Sequence, residues 1–377
     1  MRIAHLADSH LGFRQYGLYE REEDFYAIFE ETVERIIAER PDCVIHAGDL
    51  FERSQPPTKA LRVVQQALGR LDNAGIPIYA VPGNHDILIR RNSLPPHILY
   101  DYLGMKIIGG RNPWYTHGET FIGGIPYRSK IYHAAMIEDL GRLAAAAEPF
   151  RKRILVLHQA IETYLPFEYE LRLEEIPPSF DYYAMGHIHK RIVETHGQGI
   201  LAYPGSSELW SMDELSSYKR DGKGFNLVDL EHDRQELVKI DLPLHREILD
   251  ETIPLERLEE YLDSIVERLR ALPERPILNV KITDVKEGSA PVYAKLEHAL
   301  GDLVLQLRPR FVSAEEENLE SVTEGSLEIH AVIAKRCGDD SALCELALSL
   351  FDLLSRGDSE LLEEASAMAE EAQRRLA

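Results

Sequence analysis

Cysteine is scarce: three residues in 377, at Cys43, Cys337 and Cys344. They are too few and too scattered for a disulfide framework or a thiolate zinc site, so a reduced, intracellular chain is the expectation. Long apolar runs are missing as well. None approaches the roughly 20 residues that span a bilayer, and the opening MRIAHLADSH carries no secretory h-region; no membrane partner is expected. Positive charge is outnumbered, with 42 Lys and Arg against 64 Asp and Glu and a net charge of −22. A global field of that sign excludes indiscriminate attraction to nucleic acid. It leaves room for local basic islands, such as ILIRRN, YRSK and RKR in the first half, and it suits a protein that gathers carboxylates around cations.

What is present is an alternation. RIAHLAD, DCVIHAGD, IPIYAVPGN, RILVLHQ and YYAMGHIH are short β-branched runs, each ending in a polar cluster. Between them EEDFYAIFEETVERIIAER, PTKALRVVQQALGRLDNA and SKIYHAAMIEDLGRLAAAAE read as helices. Such alternation predicts βαβ units around a mostly buried sheet, hence an α/β fold. After residue 200, GILAYPGS, KGFNLVDLE and ELVKIDLPL predict added antiparallel strands. A second unit starts near Leu244, with a helix in PLERLEEYLDSIVERLRAL, a strand in PILNVKITD and a helix in VYAKLEHALG. The expected organisation is therefore 1–243, a small α/β unit over 244–336, and two helices joined at SRGDS over 337–377. The first of those two helices is apolar on nearly every side, which calls for packing on the preceding unit or on a partner.

Every polar cluster lies at a strand's carboxyl end, where open α/β sheets bind ligands. Asp8 and His10 stand in LADSH, Asp49 in HAGDLF, Asn84 and His85 in PGNHD, His158 in VLHQ, and His187 and His189 in GHIH. In a strand-end His-x-His both imidazoles point to one side. Each piece alone has a structural reading: a turn cap for Asp8, a left-handed turn residue for Asn84, a buried strand histidine for His158. Five such clusters together point to metal binding. Carboxylates with imidazoles and no thiolate suit Mn²⁺, Fe²⁺ or Zn²⁺. Leaving His85 aside, seven donors are too many for one tetrahedral ion and about right for two ions sharing a carboxylate, with Asp49 the natural bridge. Such a pair clamps the attacking and leaving oxygens of a phosphoryl displacement.

The ordered motifs D-x-H, G-D, G-N-H-D, a strand-ending H and G-H-x-H resemble the calcineurin-like metallophosphoesterases. The longer stretches AHLADSHLG, CVIHAGDLFERSQPP, GNHD, HQ and YYAMGHIHKR…YPGSSELW resemble the double-strand-break repair nucleases of the MRE/SbcD type, strongly over about the first 210 residues and loosely beyond. The resemblance implies a β-sandwich flanked by helices, a DNA-capping α/β domain, a C-terminal helical hairpin that docks an SMC-like coiled-coil ATPase, and a homodimer. It implies two Mn²⁺ per chain, one on Asp8, His10, Asp49 and His189 and the other on Asp49, Asn84, His158 and His187. It further implies 3′→5′ exonuclease action on double-stranded DNA ends and endonuclease action on single strands, with His85 as the acid that assists the leaving oxygen. Many relatives carry histidine where this chain has Glu52, so a Glu52–His85 acid dyad is one expectation and a solvated loop carboxylate the other. DNA contacts are expected from loops around the metals: Arg14, Arg90, Arg91, Asn92, Arg128 and Lys130, with Lys190 and Arg191 just after the histidine pair. A phosphatase or cyclic-nucleotide phosphodiesterase on the same core, and a non-catalytic DNA-end scaffold, are the competing readings.

Overall fold

The computed structural model describes residues 1–87, 94–230, 235–285 and 288–312. Chain order in the first part runs β1 (Arg2–Leu6), α1 (Tyr19–Glu39), β2 (Cys43–His46), α2 (Thr58–Asn73), β3 (Ile78–Ala80), β4 (Lys106–Ile107), β5 (Trp114–His117) and β6 (Thr120–Ile125). It continues with α3 (His133–Ala147), β7 (Lys152–His158), β8 (Tyr182–Gly186), β9 (Ile192–His196), β10 (Gly199–Tyr203), α4 (Leu215–Asp221), β11 (Gly224–Asp229) and β12 (Glu236–Asp241).

Strand side chains alternate between faces, and here both faces are covered. Ile3, Cys43, Ile45 and Tyr79 share one core cluster with Ile154, Val156, Tyr182 and Ala184, which places it between two sheets. Their neighbours Ala4, Val44 and Ala80 face outward onto α1 and α2. The result is a sandwich of two six-stranded sheets, ordered β12-β11-β1-β2-β3-β4 and β5-β6-β7-β8-β10-β9. Helix α1 presents Phe25, Ile28, Phe29, Val33 and Ile36, spaced at helical periodicity, and stops where Arg40 turns left-handed at φ 51°. Helix α3 covers the second sheet with Met136, Leu140 and Leu143. Each fully buried aliphatic side chain of this kind contributes about 1.5–3 kcal/mol.

The helices α1, α2 and α3 and the five strands that lead to polar clusters fall where the apolar periodicity places them. The β5–β6 hairpin does not show in the sequence, because two glycines interrupt TFIGGI. Nor does β9, whose residues are largely exposed. The added strands β11 and β12 are antiparallel as expected, and β10 runs antiparallel to β9 and parallel to β8.

The described chain divides into two compact units, Met1–His245 and a second that begins at Arg246. The second contains β13 (Ile248–Pro254), α5 (Leu258–Ala271), β14 (Ile277–Thr283), α6 (Ser289–Leu300) and β15 (Gln306–Phe311), its strands forming a parallel sheet in the order β13-β14-β15. Leu258, Leu262, Ile265 and Leu269 of α5 and Leu296 and Leu300 of α6 share its core with Leu278, Val280 and Ile282 of β14. The edge strand β15 holds Pro309, a residue tolerated only where no ladder donor is needed. The hairpin expected over 337–377 lies outside the described residues. Among those described, no helix is long and apolar enough to cross a membrane.

Candidate metal centre

Strands β1, β2 and β3 run parallel, as do β7 and β8, and their carboxyl-end loops meet at one edge of the sandwich. The first two loops are zipped together: the N–H groups of Asp8, His10 and Leu11 donate to the carbonyls of Gly48, Asp49 and Leu50 at 2.9, 3.0 and 3.0 Å. The buried Asp86 carboxylate ties in the third loop, accepting from Gly83 at 2.9 Å, Leu50 at 3.2 Å and Phe51 at 2.9 Å. Asp8, His10, Asp49 and His187 all take positive φ (52°, 46°, 52° and 91°). Positive φ is uncommon for residues other than glycine, and four of the seven such positions among the described residues fall here. Two motif glycines have a steric cause. A Cβ on Gly186 would fall on the Ala47 carbonyl, and one on Gly48, itself at φ 96°, would fall on the His158 ring. Each glycine admits the opposite sheet.

Three groups result among the described residues: Asp8 with His10 and His189, Asp49 with His158 and His187, and His10 with Glu52 and His85, the candidate ligating atoms of each within 4.8 Å of one another. The first two are the donor groups made up of the ligands expected from sequence. Asp49 Oδ2 stands 3.3 Å from His158 Nε2 and 3.9 Å from His10 Nε2, between the groups. Asn84 Oδ1 is 3.1 Å from His158 Nε2. The Asp8 carboxylate accepts the His187 N–H at 3.0 Å.

Hydrogen-bond partners set the imidazole tautomers. His10 Nδ1 meets Glu52 Oε2 at 3.0 Å, His189 Nδ1 meets Glu214 Oε1 at 2.9 Å, and His158 Nδ1 meets the Ala47 carbonyl at 2.7 Å. All three partners only accept, so each Nδ1 carries the proton and each Nε2 presents a lone pair. The Nε2 atoms of His10 and His189 then face each other at 3.1 Å. His158 Nε2 faces two oxygens. Lone pairs converging in this way require a shared proton or a cation between them, and the set of oxygens and nitrogens without sulfur suits a divalent metal. The residues fit the dinuclear centre that the fold family implies. Without metal, protons carry this load. Burial would depress His158, but the adjacent Asp49 carboxylate prevails and lifts it to about 9. Burial and the nearby His158 push His187 down to about 3. Asp49 is held well below the carboxylate range because its histidine neighbours, His158 foremost, outweigh its burial.

His85 is partly exposed at the pocket; its N–H donates to Asp49 Oδ1 at 2.9 Å. Its Nδ1 pairs with the Glu52 backbone carbonyl at 2.9 Å, while the Glu52 carboxylate stands 3.7 Å away and engages His10 instead. The hydrogen bond of His85 Nδ1 is thus to the Glu52 backbone, with the Glu52 carboxylate at ion-pair distance as the expected dyad partner. Of the expected DNA contacts, Arg90, Arg91 and Asn92 lie outside the described residues. Arg14 is paired with Glu22 at 2.6 Å, Arg128 with Asp139 at 2.7 Å, and the Lys130 ammonium sits 3.7 Å above the Tyr169 ring. Lys190 is exposed. Arg191 requires a correction. It is buried and gives four of its five N–H donors to Asp241 and to the Pro204, Asp221 and Ile240 carbonyls, which holds the guanidinium inside rather than at a DNA-facing surface.

Several residues around the donors escape a reading of the sequence. Trp210 donates its indole N–H to Glu52 at 3.1 Å and lays its ring beside His10, His85 and His189. Glu214, buried, holds His189 and is itself held by Lys223 Nζ at 2.7 Å and Ser206 Oγ at 2.9 Å. The one local signal is the S-x-x-E capping box of Ser211 and Glu214, which marks a helix start and says nothing of the histidine.

Residues 1–191 match the family model of the calcineurin-like phosphoesterases. The DNA double-strand break repair protein Mre11 of Methanocaldococcus jannaschii is 36% identical to this chain, over 97% of it and 98% of that protein. Its namesakes in Methanococcus maripaludis and Saccharolobus solfataricus are 35% and 32% identical, covering 87% and 82% of this chain and 88% and 81% of their own lengths. With the donor set gathered at the strand ends, the chain belongs to the calcineurin-like phosphoesterases and, among them, to the Mre11-type nucleases, and it is a metal-dependent phosphodiester hydrolase.

Proposed function

We propose that this chain is a manganese-dependent DNA nuclease of double-strand-break repair. It trims duplex ends as a 3′→5′ exonuclease and cuts single strands as an endonuclease. It works inside the cell as a homodimer with an SMC-like coiled-coil ATPase. The observation that carries the reading is the pair of donor groups meeting at Asp49. One ion would be held by Asp8, His10, Asp49 and His189, the other by Asp49, Asn84, His158 and His187. When bound, such ions supply Lewis acidity toward the oxygens of a phosphodiester.

The chain's own residues do the rest. Asp49 takes the shared position and anchors the His85 backbone. His85 has Nδ1 tied to the Glu52 carbonyl, so as the imidazolium it would carry a second proton on Nε2, which could pass to the departing 3′-oxygen. Lys130 and Lys190 stand among the cations that would meet the DNA backbone. The second unit is assigned to capping DNA, and 337–377 to docking the ATPase. These assignments draw on the resemblance to the repair nucleases and on the apolar character of the first helix expected in 337–377.

Incubation of end-labelled duplex DNA with Mn²⁺, with and without the ATPase, tests the reading beside a generic phosphate bis-ester. Shortening from the 3′ end is expected; hydrolysis of the bis-ester with DNA left intact would favour a phosphodiesterase instead. Truncation near residue 338 should abolish co-purification with the ATPase.

A further inference from the structure

The two donor groups differ in what stands behind their imidazoles. In the first, both histidines are backed by carboxylates, His10 by Glu52 at 3.0 Å and His189 by Glu214 at 2.9 Å. In the second, His158 is backed by a neutral carbonyl at 2.7 Å, and the Glu170 carboxylate stays 4.0 Å from the His187 ring. A carboxylate behind a ligating imidazole fixes its tautomer and raises its basicity, and losing such a partner typically weakens metal binding about 10- to 100-fold.

The two carboxylates are themselves unequal. Glu214 shares its charge with Lys223 at 2.7 Å, beside Ser206 Oγ at 2.9 Å and the Ser211 N–H at 3.1 Å. Glu52 has only neutral donors and histidines around it: the Trp210 indole at 3.1 Å, His10 at 3.0 Å and His85 at 3.7 Å. Among the described residues no Lys or Arg pairs with it. Its negative charge therefore acts undiminished on His10, next to the point where the His10 and His189 Nε2 atoms converge. Trp210 joins the two supports, bonding Glu52 through its side chain while the next residue, Ser211, bonds Glu214.

On the two-metal reading given above, we infer that the half-site of Asp8, His10 and His189 loads first and holds the tighter ion, and that Glu52 and Glu214 are the positioning residues that make it so. The other half-site fills second, from donors whose nearest carboxylates behind the rings, Asp8 at 3.9 Å from His158 Nδ1 and Glu170 at 4.0 Å from His187, stand beyond hydrogen-bond distance. Its ion is the exchangeable one.

Titration of Mn²⁺ into the chelator-stripped full chain, followed by calorimetry and by the paramagnetic resonance of free Mn²⁺, tests this. Wild type should bind two ions in two resolved steps. Glu52→Gln should weaken the tighter step about tenfold or more and leave the weaker step in place. Glu214→Gln should act on the same step. His187→Ala should remove the weaker step alone, which assigns the steps. Glu214 is buried against Lys223, so its variant carries a folding risk; Glu52, partly exposed, supplies the independent variant. Loss of fold would lower both steps together, whereas the inference demands a selective loss. A Glu52→Gln titration that overlays wild type, a loss on the step that His187→Ala removes, or two steps of equal affinity in wild type would each overturn it. A wild-type chain that binds no Mn²⁺ would overturn the metal-centre reading itself.

Discussion

Loops leaving β1, β2 and β3 carry the oxygen donors Asp8, Asp49 and Asn84, while the ends of β7 and β8 carry the imidazoles of His158, His187 and His189. Only His10 crosses that division. The two sheets also hold their donors differently. Those of the first sheet are locked to one another by backbone bonds between neighbouring loops and by the Asp86 carboxylate. Those of the second are aimed by contacts from outside their own sheet, His158 by Ala47 and His189 by Glu214. Neither sheet alone assembles a centre, so its geometry depends on how closely the sheets approach.

The largest effect is expected where the two contributions meet. Asp49→Ala removes the carboxylate that both donor groups share, and should abolish Mn²⁺-dependent cleavage of labelled duplex DNA together with at least one bound ion by elemental analysis. Retention of both ions would break the division of donors described here. His85→Ala should lower cleavage about 10²- to 10⁴-fold, the range for a general acid, while two ions remain bound. A parallel loss of metal would place His85 among the ligands instead.

A smaller effect probes the approach of the sheets directly. Gly186→Ala drives a methyl group into the Ala47 carbonyl, and overpacking of this kind costs about 1–3 kcal/mol. Melting should fall by about 2–4 °C per kcal/mol, and Mn²⁺ affinity should fall with it. Unchanged melting would mean that the sheets tolerate separation.

A last effect is a pH dependence confined to the metal-free protein. The folded pKa of His158, about 9, lies above its ordinary 6.5, so its stabilising contribution is complete below 6.5 and is lost as pH rises through 9. Burial would depress His189, but the Glu214 carboxylate, by hydrogen bond and charge, and the nearby Asp8 together raise it, and it acts in the same direction. Melting temperature of the stripped protein should therefore decline between pH 6.5 and 9. His158→Gln should flatten that slope, and so should saturating Mn²⁺.

Helices α1 to α3 were legible because their apolar residues repeat at helical spacing, and the donors were legible because they cluster where apolar strands stop. The second unit was harder to read. Its β14 announces itself as ILNVKIT, but β13 in ILDETIP and β15 in QLRPRF mix charge and proline into edge positions. Arg191 follows the histidine pair in sequence and looks like a phosphate contact, yet its partners come from residues 204 to 241 and draw it inside.

By itself the sequence determined the alternation of strands and helices and the place of the candidate donors at strand ends, since those properties follow from local periodicity and residue chemistry. Tertiary structure alone decided which donors share a pocket, that Asp49 lies between the groups, that Glu52 hydrogen-bonds His10 through its carboxylate and His85 through its carbonyl, and that Glu214 stands behind His189. Those contacts join residues tens to nearly two hundred positions apart. Parallel pairing of β1, β2 and β3 brings Glu52 to His10 and His85, and the packing of one sheet on the other, with Gly48 and Gly186 where a Cβ would hold them apart, brings the donors of the two sheets together.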